Sequence, residues 1–322
     1  MSTMSAGEGS TSWYDAEDPG GSPWCWRRAC PWPRGASTAA STNSGGSTGS
    51  AGNLGTITPG TITVAIEPYM PYTAEQNGKL IGLDSEIFNY IAQQLHQKIN
   101  VQVTNFAGML SGVQTRRVDV AIGGIAWSKS RAAVGLFTDP PYYSPVALAE
   151  KNGENINTIA GLQGKSVGTV TGYIFVDAIR QIPGAALHAY QDAPSAFTDL
   201  ADGRVNALVI DTLLVIYQAK QGAGQGLTSD YLTPPSAADV KAHPGYSAFE
   251  PYMTGFYIPK QEPQLKDAMD RVIRQMYGNG EMTKLLTKWG AKPDLFLKPS
   301  AGMAQQRQAV DRPASWTPPS MP

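Results

Sequence analysis

Between Val118 and Arg131 the chain reads VDVAIGGIAWSKSR. Val118–Ile122 is short, β-branched and apolar apart from Asp119, which suits a strand inside a sheet. Two glycines follow, where backbone N–H groups can approach a ligand closely. A loop then carries the chain to Arg131. Upstream, Thr61–Ile66 (TITVAI) reads as a buried strand, and Asp84 as the cap of a helix bearing Ile87, Ile91 and Leu95 on one face. Ile99–Thr104 is the next strand and Ala107–Arg116 a short helix.

Downstream, Asp139-Pro-Pro-Tyr-Tyr leads to a strand through Val146–Glu150, after which the alternation restarts. Strands Ser166–Val170, Ala186–Tyr190 and Val205–Ile210 alternate with helices Ile174–Gln181, Pro194–Ala201 and Thr212–Lys220. Gly255–Pro259 is strand-like, and Gln264–Tyr277 with Glu281–Trp289 form a helical end. Two βα blocks with a late return predict two α/β lobes joined by crossing strands, with a ligand cleft between them. The expected divisions are residues 60–147 and 255–298 for the first lobe and 148–254 for the second.

The flanks differ in composition. Residues 1–59 include ASTAASTNSGGSTGS (Ala36–Ser50), which lacks the apolar area to offset chain entropy and reads as a disordered tether. Residues 299–322 read as a disordered tail. Cys25 and Cys30 both fall in the tether, where a disulfide, a lipid attachment and free thiols all stay open. Arg27-Arg28 is followed by Pro31 and Pro33 and a polar tract, so no clear export signal is visible.

The chain has 322 residues, with 25 Lys+Arg against 26 Asp+Glu. A net charge of -1 supplies no field to attract a polyanion, which argues against nucleic-acid binding. No stretch approaches the roughly 20 apolar residues of a membrane helix. Gly164-Lys165-Ser166 lacks the earlier glycine of a phosphate loop, since Ile159 stands there. Gly164-Lys-Ser166-Val-Gly168, with Asp211 and His243 after it, imitates a hydrolase triad in chain order. Ser166 begins a strand, however, whereas a nucleophile elbow needs its serine at a strand's end. His96, His188 and His243 are far apart in the sequence and show no metal-ligand spacing. No metal or other cofactor is expected.

Arg131 and Asp211 stand out instead. A guanidinium beside a glycine loop can grip a carboxylate with two parallel hydrogen bonds. Asp211 follows a very apolar strand and opens a helix, so it reads either as a cap or as a carboxylate for a ligand ammonium. Together the two would complement an α-amino-acid zwitterion.

Phe106-Ala-Gly-Met-Leu-Ser-Gly-Val-Gln-Thr-Arg-Arg-Val-Asp119-Val-Ala-Ile-Gly-Gly124, Arg131 and Phe137-Thr-Asp139-Pro-Pro-Tyr142-Tyr143 resemble the first lobe of the polar amino-acid solute-binding proteins of ABC transporters, solute-binding protein family 3. Glu67-Pro-Tyr69-Met-Pro-Tyr72, Gly82-Leu-Asp84, Leu162-Gln-Gly164-Lys-Ser-Val-Gly168, Ala201–Asp211 and Gly280–Gly290 extend the resemblance over Thr61 to Gly290. It implies an α/β, two-lobe, type II periplasmic-binding-protein fold with a hinge. It also implies a monomeric receptor outside the cytoplasmic membrane, either free or membrane-tethered, that captures an amino acid for an ABC permease.

By the same resemblance Arg131 takes the ligand carboxylate and Asp211 its ammonium. Phe106 packs on the ligand, Glu67 and Tyr69 line the first lobe, and Gly124, Ala126 and Ser128 line the loop to Arg131. Thr171, Gly172 and Tyr173 form the second-lobe loop. Ala126 and Ile174 depart from the family's usual hydroxyl residues, each removing a hydrogen bond of about 1 kcal/mol. Trp127, bulkier than the usual aliphatic residue, belongs either to the core or to the pocket. The less polar pocket suits an apolar or aromatic side chain better than a basic one, although Glu67 could pair with a cation. Two other readings of the scaffold are a dehydratase resembling those acting on prephenate or arogenate, with Glu67 or Glu250 as acid, and a sensor that lost transport. The stretch Gln221–Tyr252 is long and rich in Pro and Gly, carries none of the motifs of the resemblance, and is a place where ligand specificity can reside.

Overall fold

The computed structural model describes residues 53–151, 154–220, 226–300, 303 and 309–322. Most of the expected tether, with Cys25 and Cys30, lies outside the described residues. Two five-stranded sheets organise the rest. In the first, Lys98–Val103 pairs with Thr61–Ile66, which also pairs with Val120–Ala121, all parallel. The return strand Tyr257–Pro259 then inserts antiparallel between Val120–Ala121 and Gly135–Phe137. In the second sheet Ala186–Tyr190, Ser166–Val170 and Ala207–Asp211 run parallel, followed by the antiparallel strands Val146–Lys151 and Leu227–Tyr231.

The chain therefore crosses between the sheets twice. The two crossing segments pair with each other, Tyr143–Ser144 antiparallel to Tyr252–Met253. A two-strand connection of this kind forms a hinge because few dihedrals must absorb the relative motion of the lobes.

Helix Pro263–Gly278 shows why the elements pack as they do. Leu265, Ala268, Met269, Val272, Ile273, Met276 and Tyr277 recur at three- and four-residue spacing and are all buried. Each large side chain so buried contributes roughly 1.5–3 kcal/mol. The helix of residues Leu83–Gln94 buries Ile87, Phe88 and Ile91 in the same core.

Two expectations are corrected and one stretch gains elements that the sequence did not assign. Asp84 does not cap its helix. Gly82 occupies that position at φ 113°, where an added Cβ would lie 2.4 Å from the Tyr72 carbonyl oxygen. Asp84 sits in the first turn with its carboxylate turned inward, accepting from Gly123 N at 3.0 Å, Gly124 N at 2.7 Å and Tyr142 Oη at 2.7 Å. Within the stretch Gln221–Tyr252, which the expected bounds already assign to the second lobe, the structure shows strand Leu227–Tyr231 and the short helices Ala237–Ala242 and Pro244–Phe249. The C-terminal tail is not structureless over residues 309–322, where Trp316 stacks on Trp127 at 5.7 Å between ring centroids. Contacts between aromatic rings, guanidinium groups and carboxylates hold this segment, and such contacts leave no helical or strand period in a sequence.

Candidate functional site

The mouths of both sheets open onto one region between the lobes. Arg131 lies on the short helix Lys129–Ala132, whose cap Ser128 accepts from the Arg131 amide at 3.4 Å. Its Nη1 donates to the Ala126 carbonyl and its Nη2 to the Gly172 carbonyl, both at 2.8 Å. The second bond crosses from the first lobe to the second. The guanidinium also lies 5.1 Å from the centre of the Phe106 ring. Burial lowers its pKa to about 10, which leaves it charged at neutral pH.

Asp211 ends strand Ala207–Asp211 and directly precedes helix Thr212–Lys220. Its carboxylate accepts from Tyr69 Oη at 2.7 Å and from Tyr252 Oη. Tyr69 belongs to the first lobe and Tyr252 to the returning crossing strand, so this one carboxylate ties together three parts of the molecule. Burial raises its pKa to about 7, reinforced by the charge of Asp84 and opposed by Tyr69 and Arg131.

An inner cavity of about 20 Å³ is lined by Arg131 and Asp211 together with Phe106, Gly123, Gly124, Ala126, Tyr173, Ile174, Phe175 and Tyr252. That is room for about one water molecule. An outer cavity of about 410 Å³ adjoins it, sharing Arg131, Tyr173, Ile174 and Tyr252 and adding Trp127, Ser128, Ser130 and Gly172. Four aromatic rings line the inner cavity: Tyr173 meets Phe106 edge-on at 5.1 Å, and Phe175 meets Tyr252 at 6.2 Å.

The structure thus brings Arg131, Phe106, Gly124, Ala126, Tyr173 and Asp211 to one cavity, with Tyr69 bonded to Asp211 behind them. Gly124 lines it, but its N–H is held by Asp84. Ser128 and Gly172 face the outer cavity. Thr171 lines neither; it is exposed, with its amide bonded to the Tyr190 carbonyl. Glu67 is buried beside Tyr173, whose Oη is 3.4 Å from its Oε1, and burial pushes its pKa to about 7. It does not line the inner cavity. Glu250 lines neither cavity. Trp127 belongs chiefly to the core, 2% exposed against Phe137 and Trp316, while forming one wall of the outer cavity.

Sequence reasoning missed Tyr252 and Phe175 as cavity residues and Asp84 as the group that holds the Gly123 and Gly124 amides. Phe175 follows Tyr173 at the helix start and was within reach of the loop reading. Tyr252 lay at the end of the stretch Gln221–Tyr252, three residues before the return strand's glycine. Among the described residues no group of three or more His, Cys, Asp or Glu gathers to hold a metal ion. No helix among them is long and apolar enough to cross a membrane.

Two lobes on crossing strands, with a cation and an anion facing one cavity, define a closing small-molecule binder. Residues 62–292 match the bacterial extracellular solute-binding proteins, family 3. The chain belongs to that family. It is 28% identical over 235 residues to the L-cystine-binding protein TcyJ of Escherichia coli K12, covering 71% of this chain and 82% of TcyJ. An ancestral arginine-binding protein bound to arginine superposes with a TM-score of 0.63 at 25% identity, covering 72% of this chain and 99% of that one. The ancestral amino acid-binding protein AncCDT-1, a precursor of cyclohexadienyl dehydratase, shares the fold with a TM-score of 0.60 at 23% identity, over 71% and 95% of the two chains.

Proposed function

We propose that this protein is an extracytoplasmic receptor that captures one amino acid between its lobes and delivers it to an ABC importer. The observation that carries the reading is the placement of Arg131 and Asp211 on opposite lobes against one cavity. Opening the cleft breaks the bonds that now span it, Arg131 to the Gly172 carbonyl and Tyr69 to Asp211. The ligand's carboxylate and ammonium replace those partners on closing, so the closed form is favoured only by a ligand that satisfies both ends.

The side chain of that ligand is uncharged. Asp211 is the only carboxylate on the inner wall among the described residues, and the rest is aromatic, aliphatic or backbone apart from Arg131. A basic side chain would find no second acid there, since Glu67 stands outside the lining beside Tyr173. The aromatic and aliphatic amino acids are the first probes; L-arginine and L-cystine are the contrasts, since the distal half of cystine, which TcyJ binds according to its name, carries a second ammonium and carboxylate. A thermal-shift screen of the full chain against the amino acids, followed by calorimetry, tests the reading. A micromolar ligand at a few hundredfold excess should add about 3–4 kcal/mol of stability. No shift with any amino acid would refute it.

One observation favours a second reading. Glu67 is buried 3.4 Å from the hydroxyl of Tyr173, a residue that lines the cavity, and burial raises its pKa to about 7, which suits the general acid that a dehydratase would need. Turnover of prephenate or arogenate by the purified chain would establish that activity, and its absence would remove it.

A further inference from the structure

Residues 309–322 lie beyond the family-matched span, which ends at residue 292. They are nevertheless joined to the first lobe at points that lead to the binding arginine and the hinge. The Trp127 ring stacks on Trp316 at 5.7 Å, and the Arg312 guanidinium sits 5.0 Å from the Trp127 centroid and 5.9 Å from that of Trp316. Trp127 is followed by the helix cap of Arg131 and preceded by Ala126, whose carbonyl receives Arg131 Nη1. Its ring is also a wall of the outer cavity. A side chain of the C-terminal segment therefore fixes, from behind, a residue that shapes the ligand side.

The second point is Asp139, on the path from strand Gly135–Phe137 to the crossing strand Tyr143–Ser144. One carboxylate oxygen receives Arg312 Nε at 3.1 Å and Trp316 Nε1 at 2.7 Å, while the other pairs with Arg274 Nε at 2.5 Å. Side chains of Asp139 and Arg312 are only 2% and 4% exposed, so much of the compensation for this buried anion comes from the C-terminal segment. Arg312 Nη2 also donates to the Phe137 carbonyl at 2.9 Å. The third point is the hinge itself: Tyr143 Oη donates to the Pro319 carbonyl. Arg274 to the Thr317 carbonyl and Met321 N to the Leu297 carbonyl secure the far end.

We propose that the C-terminal segment is a positioning element of the ligand site: Arg312 and Trp316 hold the Ala126–Arg131 turn and the outgoing crossing strand in the geometry from which the lobes close. Neither residue touches the inner cavity lining. Their action runs through Trp127 on one side and through Asp139 and Tyr143 on the other. A segment that only covered apolar surface would add stability without altering affinity measured well below the melting transition.

The test compares the full chain with a chain ending at residue 308, and with the single variants Arg312→Lys and Trp316→Phe. Hydrogen exchange of the unliganded proteins is read at residues 123–131 and 139–144, with Ser166–Val170 as a second-lobe reference. Truncation should speed exchange at the first two regions at least tenfold and leave the reference within twofold. The binding measurement rests on the amino-acid-receptor reading: with the probe that gives the shift in the full chain, Kd measured at 15 °C should rise at least tenfold on truncation. The single variants, which keep the charge or the ring, should show the same changes in smaller degree, and they decide the matter if the truncated chain does not fold. Unchanged exchange in both first-lobe regions, or a Kd within twofold of the full chain, would overturn the proposal. If no amino acid binds the full chain, the receptor reading fails, and the exchange measurement still decides the role of the segment.

Discussion

The two lobes treat buried charge differently. The first buries Glu67, Asp84, Asp119, Arg131, Asp139 and Glu262, whereas the second buries Glu150 and Asp211 among the described residues. Most first-lobe charges are tied within that lobe. Asp84 holds two consecutive glycine amides, and Asp119 accepts from the amides of Ile57 and Thr63. The Arg131 carbonyl receives Tyr257 Oη at 3.0 Å. Asp211 is the contrary case, because its hydroxyl partners come from the first lobe and the crossing strand. The first lobe is mainly a self-contained polar frame, although Arg131 and Glu67 reach the second lobe at Gly172 and Tyr173, and the second carries a conditional carboxylate whose hydroxyl partners come from outside its own lobe. In the proposed receptor this division would let ligand binding and lobe closure be one event.

The strongest way to break this contrast is Arg131→Ala. Two charge-assisted hydrogen bonds to a carboxylate are worth about 3–4 kcal/mol together, so affinity for the screened amino acid should fall 100- to 1000-fold while the melt stays cooperative. Calorimetry that finds undiminished affinity would remove Arg131 from the site.

Asp211→Asn separates the conditional group from the frame. Burial raises the folded-state pKa of Asp211 to about 7, Glu67 to about 7 and Asp84 to about 6, all above their usual values near 4. A carboxyl that binds its proton more tightly when folded stabilises the fold below its unfolded pKa. That contribution is lost as pH rises from about 4 to the folded value. Stability from these groups should accordingly decline between pH 4 and 7, and Asp211→Asn should lessen the decline. At pH 8 the variant should be more stable by on the order of 3 kcal/mol, though a weaker binder. Denaturant titrations at pH 5 and pH 8 measure the difference; an equal slope in both proteins would contradict it.

Asp84→Ala attacks the frame from inside. It strands one buried amide, one half-buried amide and a tyrosine hydroxyl, at a cost of about 2–3 kcal/mol in urea unfolding, whereas Asp84→Asn keeps an acceptor and should cost less than half as much. The smallest effect sharpens the latch. Ile174→Ser places a hydroxyl on the second-lobe wall of the inner cavity, which should change affinity by about 1 kcal/mol, or fivefold, with little change in melting temperature.

How legible this was depended on whether a residue's role was local. Strands Thr61–Ile66, Ser166–Val170 and Ala186–Tyr190 and helix Thr212–Lys220 are found with the bounds that the sequence pattern indicates; the first two are apolar, β-branched runs buried along nearly their whole length, a signal that is local to the chain. Strand Leu227–Tyr231 (LTSDY) is an exposed edge with no apolar alternation, and nothing in it announces pairing. Asp84 looked like a cap because a carboxylate near a helix start usually is one; its partners lie 39 and 40 residues away. Arg131 and Asp211 could be singled out as a pair of opposite charges, each after a buried strand. That Tyr252 would share Asp211 with Tyr69 depends on how the returning chain crosses the hinge, which no local pattern encodes. Trp316 and Arg312 escaped for the same reason, since their partners Trp127 and Asp139 are far away in the chain.

The position of the return strand has a consequence for the order in which this chain can assemble. Tyr257–Pro259 is an inner strand of the first sheet, between Val120–Ala121 and Gly135–Phe137. The first sheet stays split until residue 259 has been synthesised, and its pairing must close a loop of more than a hundred residues. Every strand of the second sheet lies between Val146 and Tyr231, a single continuous stretch. On a ribosome that supplies residues in order, the conditional lobe has all its strands before the polar frame does. The nascent protein thus passes through a stage with the Asp211 strand complete and the Arg131 side still unassembled, so the cavity that the two residues share forms only after the return strand is made.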